Sequence, residues 1–149
     1  MQPTDTIAML KETPFFSTLD EAELDAVAKC VVATRHGAGQ VIIEEGALGE
    51  CLYLVRSGSV RVEKERNGKK IRLADLGAGA TFGEMSLIDS APTSATVTAL
   101  EVSELLQIGR LDLNVLLNWN PILASKMWRA FSRMFSERVR DMNDRLLAQ

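Results

Sequence analysis

The sequence predicts an α+β domain, mainly β: an antiparallel β-roll or jelly roll with one helical turn inserted, N-terminal helices before it, and a hinge plus a long helix after it. Three observations predict this. Short β-rich runs separated by Gly turns fill the middle of the chain, between Cys30 and Ile108. Apolar residues at helical spacing flank that region on both sides. One Gly-acidic step, Gly83-Glu84, interrupts the strand series with a short apolar segment that ends at Pro92.

From the N-terminus, Thr4 to about Glu12 alternates polar and apolar residues at helical spacing, and Pro14 ends it. Phe15 and Phe16 follow as an apolar plug. Asp20 and Glu23 form a capping box, with Leu19 and Leu24 in the staple positions, so a helix is expected from about Glu21 to Ala28. Leu24, Val27 and Ala28 share its inner face. The β-runs are Val41-Ile42-Ile43, Leu52-Tyr53-Leu54-Val55, Val60-Arg61-Val62 and Ile71-Arg72-Leu73. Asn67-Gly68 between two alternating runs signals a tight hairpin, because both central positions of such a turn need positive φ. Thr96 to Leu100 and Val102 to Ile108 complete the strands.

Helical character returns after Gly109, where Arg110 to about Asn118 places Leu111, Val115 and Leu116 on one expected face. Asn120-Pro121 breaks it, and Pro suits the first position of a new helix. That helix runs to Leu147 with no internal Gly or Pro. Trp128, Phe131, Phe135, Val139, Met142 and Leu146 form an apolar stripe along it, either a lid on the roll or a seam with a second copy. Its length exceeds what one small roll covers, so a homodimer through this stripe is expected. The spacing is not a strict heptad, which argues against a long coiled coil. One domain is expected over residues 1–149, with helices in 4–28, the roll in 29–108, and the hinge and long helix in 110–147.

Composition narrows the function. At 46% hydrophobic and 25% charged residues the chain reads as an ordinary globule. The net charge of −3 argues against nucleic acid as the main partner. The charge is uneven: the segment from Pro121 carries +3 and the rest −6. Arg129, Arg133, Arg138, Arg140 and Arg145 are interleaved with Glu137, Asp141 and Asp144, which reads as a solvated mixed-charge face. No apolar run reaches the ~18 residues of a membrane span, and no signal-peptide pattern opens the chain, so a cytoplasmic protein is expected. Cys30 and Cys51 are too few for a disulfide framework or zinc site and are read as buried thiols. His36 is the single histidine, in a Gly-flanked turn. No nucleophile elbow, P-loop or metal spacing occurs, so neither an enzyme nor a bound cofactor or metal is expected.

The segment Phe82-Gly83-Glu84-Met85-Ser86-Leu87-Ile88, followed by Ala91-Pro92-Thr93-Ser94-Ala95-Thr96-Val97, carries the chemistry. A helical turn opened by Gly and an acidic residue aims backbone N–H groups at one spot and so makes an anion cradle. The segment resembles the phosphate-binding cassette of the cyclic-nucleotide-binding domain family. The order of helices and strands is similar to that family over nearly the whole chain, as are the Gly46, Gly49 and Glu50 turn before Leu52-Tyr53-Leu54-Val55 and the break at Pro121.

The resemblance implies a sensor module that binds cAMP, cGMP or a related phosphate ligand. Gly83 would offer its N–H, and Glu84 would accept the ribose 2′-hydroxyl. Met85 and Ser86 would face the phosphate through their N–H groups, and Ser94 and Ala95 would line the phosphate or base edge. With no output domain read after the last helix, the resemblance implies signalling through the C-terminal helices to a separate effector. The chain departs from the family at Thr93, which stands where the family has its phosphate-binding Arg. Charge-assisted hydrogen bonds contribute about 1.5–3 kcal/mol each, so the exchange weakens a phosphate complex by roughly 10²-fold or more. Three alternatives follow: Arg56, Arg61 or Arg72 reaches in; the pocket takes another ligand; or a degenerate fold without nucleotide acts as a dimeric interaction module.

Overall fold

A computed structural model describes residues 3–87, 89 and 91–148; for Pro3, Thr4, Ser86 and Leu87 it describes the backbone alone. Helix α1 (Pro3–Glu12) and helix α2 (Glu21–Ala28) come first. Strands β1 (Val31–His36), β2 (Val41–Ile43), β3 (Cys51–Ser57), β4 (Val60–Arg66), β5 (Lys69–Leu76) and β6 (Thr81–Phe82) follow. A single 3₁₀ turn, Glu84–Leu87, stands between β6 and β7 (Thr96–Ala99), and β8 (Ser103–Gly109) leads into α3 (Arg110–Trp119) and α4 (Pro121–Leu147). Two four-stranded antiparallel sheets result, ordered β1-β8-β3-β6 and β2-β7-β4-β5.

The expected elements are present where local chemistry dictates them. The Asp20 side chain accepts from Glu23 N and the Glu23 side chain from Asp20 N, each at 2.8 Å, which closes the capping box at the start of α2. Asn67 and Gly68 adopt φ of 53° and 76° and join β4 to β5 with Arg66 opposite Lys69. Strand β1 was not among the expected β-runs. Its pairing with β8, Val31 opposite Ile108, is what draws it into the sheet.

Strand β3 explains the layering. Leu52 and Leu54 point to one face, Tyr53 and Val55 to the other, and both faces are covered. The inner face, with Val60, Phe82, Val97 and Leu105, fills the roll. The outer face, continued by Leu106 and Ile108 of β8, packs under the helices through Leu10, Phe15, Phe16, Leu24, Val27, Leu113, Leu123, Met127 and Phe131. A strand buried on both sides reads as a continuous apolar run, as Leu52 to Val55 does.

Two helical faces differ from expectation. Helix α3 buries Leu113 completely, with Leu116 and Leu117 half-buried beside it, while Leu111 and Val115 face outward. The 3 and 4 spacing is satisfied from Leu113 as well as from Leu111, and contact with the outer sheet face selects the first. On α4 the stripe divides. Phe131 is in the core with its ring 4.1 Å from that of Phe15, and Phe135 packs half-buried beside it. Trp128 is partly exposed, and Val139, Met142 and Leu146 are exposed. The buried face of α4 is Leu123, Met127, Ala130 and Phe131, so Phe131 belongs to this chain's own core.

Candidate functional site

The cassette is built where β6 ends. Phe82 stacks on Tyr53 at 4.9 Å inside the roll and anchors the chain just before the turn. Gly83 then adopts φ +82°, and a Cβ there would sit 2.7 Å from the Cys51 carbonyl and 3.4 Å from the Tyr53 ring. Only glycine meets both demands, the positive φ and the close backbone approach. The 3₁₀ turn begins immediately after it, at Glu84.

Glu84 is 5% exposed. Its Oε1 accepts a hydrogen bond from Arg138 Nη1, and Oε2 is buried with no partner among the described residues. Arg138 comes from α4, 54 residues away in sequence, and its guanidinium lies 5.5 Å over the Phe135 ring. This corrects the reading of Arg138 as part of a solvated face. Of the three alternatives, a substitute cation from Arg56, Arg61 or Arg72 is not what these side chains supply: Arg56 pairs with Glu104 at 2.8 Å, and Arg61 and Arg72 both pair with Asp75, at 2.9 and 3.4 Å. Arg61 holds the exposed Asp75 carboxyl below its usual range through that hydrogen bond.

Thr93 is placed as a strut. Its hydroxyl donates to the Glu44 carbonyl and accepts from Ala47 N, while Thr93 N donates to the Ala47 carbonyl at 2.8 Å and Gly46 N donates to the Thr93 carbonyl at 2.8 Å. These bonds tie the end of the cassette to the loop between β2 and β3. Both the donor and an acceptor site of the hydroxyl are thereby taken up by backbone. Met85 is half-exposed, Ser94 exposed and Ala95 buried. Ser86 lies in the turn, but its side chain is outside the described residues, as is Ile88 altogether.

Beside this turn the roll holds a cavity of about 110 Å³, lined in part by Ile42, Ile43, Leu48, Cys51, Tyr53 and Thr93. Burial pushes the Tyr53 phenol up to about 12, and burial likewise raises the Cys51 thiol. Cys30 and Cys51 are free and half-buried. His36 ends β1, where its Nε2 is 3.0 Å from Thr34 Oγ1, and burial lowers its pKa. Among the described residues, no cluster of His, Cys, Asp and Glu could hold a metal ion, and no helix is long and apolar enough to cross a membrane.

Two stacked antiparallel sheets, a Gly-Glu turn between strands and a helical cap define a helix-covered β-roll with a cassette. The model of the cyclic nucleotide-binding domain family matches residues 33–120, and the chain belongs to that family. It is 36% identical over 129 residues to the cyclic AMP receptor protein of Thermus thermophilus, a match over 86% of this chain and 60% of that protein. It is 32% identical to a cAMP-dependent protein kinase regulatory subunit of Blastocladiella emersonii, over 78% of this chain and 29% of the relative. The chain therefore spans at most 60% of either curated relative. Among solved structures, a cyclic nucleotide-binding domain from Methylobacillus flagellatus superposes with a TM-score of 0.83 at 27% identity, covering 97% of this chain and 82% of that one. The N-terminal domain of a transcriptional regulator from Streptomyces coelicolor superposes at 0.77 with 32% identity, over 93% and 94% of the two chains.

The sequence singled out Gly83 and Glu84 but not the partner of Glu84. The surplus of positive charge after Pro121 was the available signal. It does not say which arginine turns inward.

Proposed function

We propose that this domain is a non-enzymatic sensor in which a cyclic nucleotide, cAMP or cGMP, or a related phosphate ligand binds at Gly83, Glu84, Met85, Ser86, Thr93, Ser94 and Ala95. Occupancy is passed through α3 and α4 to a separate effector. The observation that carries this reading is Glu84: a carboxylate kept 5% exposed at the head of the cassette, with one oxygen lacking a donor among the described residues. An acidic side chain is costly to hold there for packing alone. The relatives named for cyclic AMP support the ligand class. The exposed Val139, Met142 and Leu146 support a homodimer through the far half of α4.

A second reading rests on Thr93. Its hydroxyl is already spent on Glu44 and Ala47, and the adjoining cavity of about 110 Å³ is below the roughly 300 Å³ of ordinary ligand pockets. A roll that has lost its nucleotide would serve as a dimeric interaction module.

Calorimetric titration of cAMP and cGMP into the wild type and Thr93→Arg separates the two. Micromolar binding by the wild type establishes the sensor. Binding by Thr93→Arg alone establishes a roll that has kept its shape and lost its phosphate partner, and moves the function to the surface of α4.

A further inference from the structure

A groove of about 610 Å³ runs along the first half of α4, beside the loop that joins α1 to α2. Pro14, Ser17 and Thr18 form one wall, and α4 supplies the other from Pro121 to Glu137. No residue of the cassette lines it. Its charge is one-sided. Residues 121–136 hold Lys126, Arg129 and Arg133 and no acidic residue, and the loop from Thr13 to Leu19 holds no charge. Lys126 is paired with Glu23 at 2.6 Å. Among the described residues, Arg129 and Arg133 make no ion pair, and the one carboxylate lining the groove is Glu137 at its far end. Arg129 and Arg133 are four residues apart on one helix, where like charges repel, so helix stability does not explain them. Between and beside them lie the apolar Ala130, Met134 and Ile122, the last 72% exposed.

We infer that this groove is a docking site for an extended acidic peptide of a partner protein, one in which carboxylates alternate with apolar side chains. Charge, length and lining point to that occupant. The cations from Lys126 to Arg133 are spread over about 10 Å of helix, which matches charge distributed along a chain and not a single headgroup. From Ile122 to Glu137 the groove follows about 22 Å of helix, the length of about seven extended residues. Successive side chains of an extended segment point to opposite sides. Carboxylates on one side can therefore reach Arg129 and Arg133, while the residues between them turn onto Pro14, Ala130 and Met134. Each guanidinium gains a charge-assisted bond, and the repulsion between the two is relieved. The volume falls within the roughly 300–1,000 Å³ of ordinary binding pockets. Around α4, Arg129 and Arg133 are turned roughly 120–160° from Phe135, whose face Val139, Met142 and Leu146 continue. The groove thus stays open when that stripe meets a second copy. Docking here does not depend on what the cassette holds.

The test is fluorescence anisotropy of the full chain with a labelled peptide of alternating Glu and Leu, about seven residues long, and with two controls. One control carries Gln for every Glu, the other Ser for every Leu. The expected result is that the Glu-Leu peptide binds about 10-fold more tightly than either control, and less tightly as salt rises. Arg129→Ser combined with Arg133→Ser should weaken it about 10-fold or more, and Ile122→Ala about 3-fold. Arg140→Ser, whose side chain does not line the groove, should leave it unchanged. Arg129, Arg133 and Ile122 are exposed, so these variants should keep the wild-type denaturant midpoint. No binding of the Glu-Leu peptide at millimolar concentration overturns the site, as does an equal loss from Arg140→Ser. Equal binding of the Gln control overturns the role of the arginines. Equal binding of the Ser control, or displacement of the peptide by a short DNA duplex at equal concentration, reduces the groove to undirected surface charge and overturns the acidic-peptide assignment.

Discussion

The two halves of α4 are one uninterrupted helix with opposite environments. In the first half Leu123, Met127, Ala130 and Phe131 are buried against α1, α2 and the outer sheet face. Lys126 adds a 2.6 Å bond to Glu23, the same carboxylate that closes the capping box of α2. In the second half Val139, Met142 and Leu146 are 56%, 61% and 67% exposed, and beyond Phe135 the ion pair to the rest of the domain among the described residues is Arg138 on Glu84. The first half is held by area, which is non-directional and insensitive to one charge. The second is held by a charge contact, which is directional and rests on one residue. One helix is thus packed along one end and held at a point along the other.

Substitutions that break this contrast should differ most in the first half. Phe131→Ala empties the space against Phe15 and should cost about 3–5 kcal/mol, read as a lower denaturant midpoint at constant m. Lys126→Ala leaves Glu23, 14% exposed, without its cation and should cost about 1 kcal/mol in the same assay. Met142→Ala should change monomer stability by less than about 0.5 kcal/mol, since its side chain is already in water. If the far half is a dimer seam, Met142→Asp should convert the dimer to monomer in sedimentation. Midpoints that rise with protein concentration in wild type alone would confirm it.

The smallest effect sharpens the contrast from the roll side. Tyr53 is neutral when folded up to a pKa of about 12, against about 10 in the unfolded chain. The unfolded state therefore loses its proton first as pH rises, and the stability present below pH 10 declines between about 10 and 12. Tyr53→Phe should remove that decline.

How much of this was legible beforehand follows from the range of each interaction. The capping box at Asp20 and Glu23, the turn at Asn67 and Gly68 and the break at Pro121 are local, and each was readable. The sheet pattern of Leu52 to Val55 was readable as a run, though its two-sided burial was not. The inner face of α3 was misassigned because Leu111 and Leu113 both begin an acceptable helical stripe. Phe131 was placed on a seam when it is core, since periodicity shows that a face is apolar without showing what it meets. In the cassette, Gly83 and Glu84 stood out through their neighbours, whereas the role of Thr93 as a strut depends on a loop 46 residues earlier.

The sequence by itself determined the order of elements, the positions of the turns and the Gly83-Glu84 step that opens the 3₁₀ turn. Each of these is written in neighbouring residues through backbone preference, capping and alternation. Only the tertiary structure decided which face of each helix is inside, that the Thr93 hydroxyl is spent on the loop of Glu44 and Ala47, and that Arg138 closes on Glu84. These depend on how the ends of distant segments meet. A guanidinium on a long side chain finds its partner by where its helix lies, and no spacing along the chain encodes that.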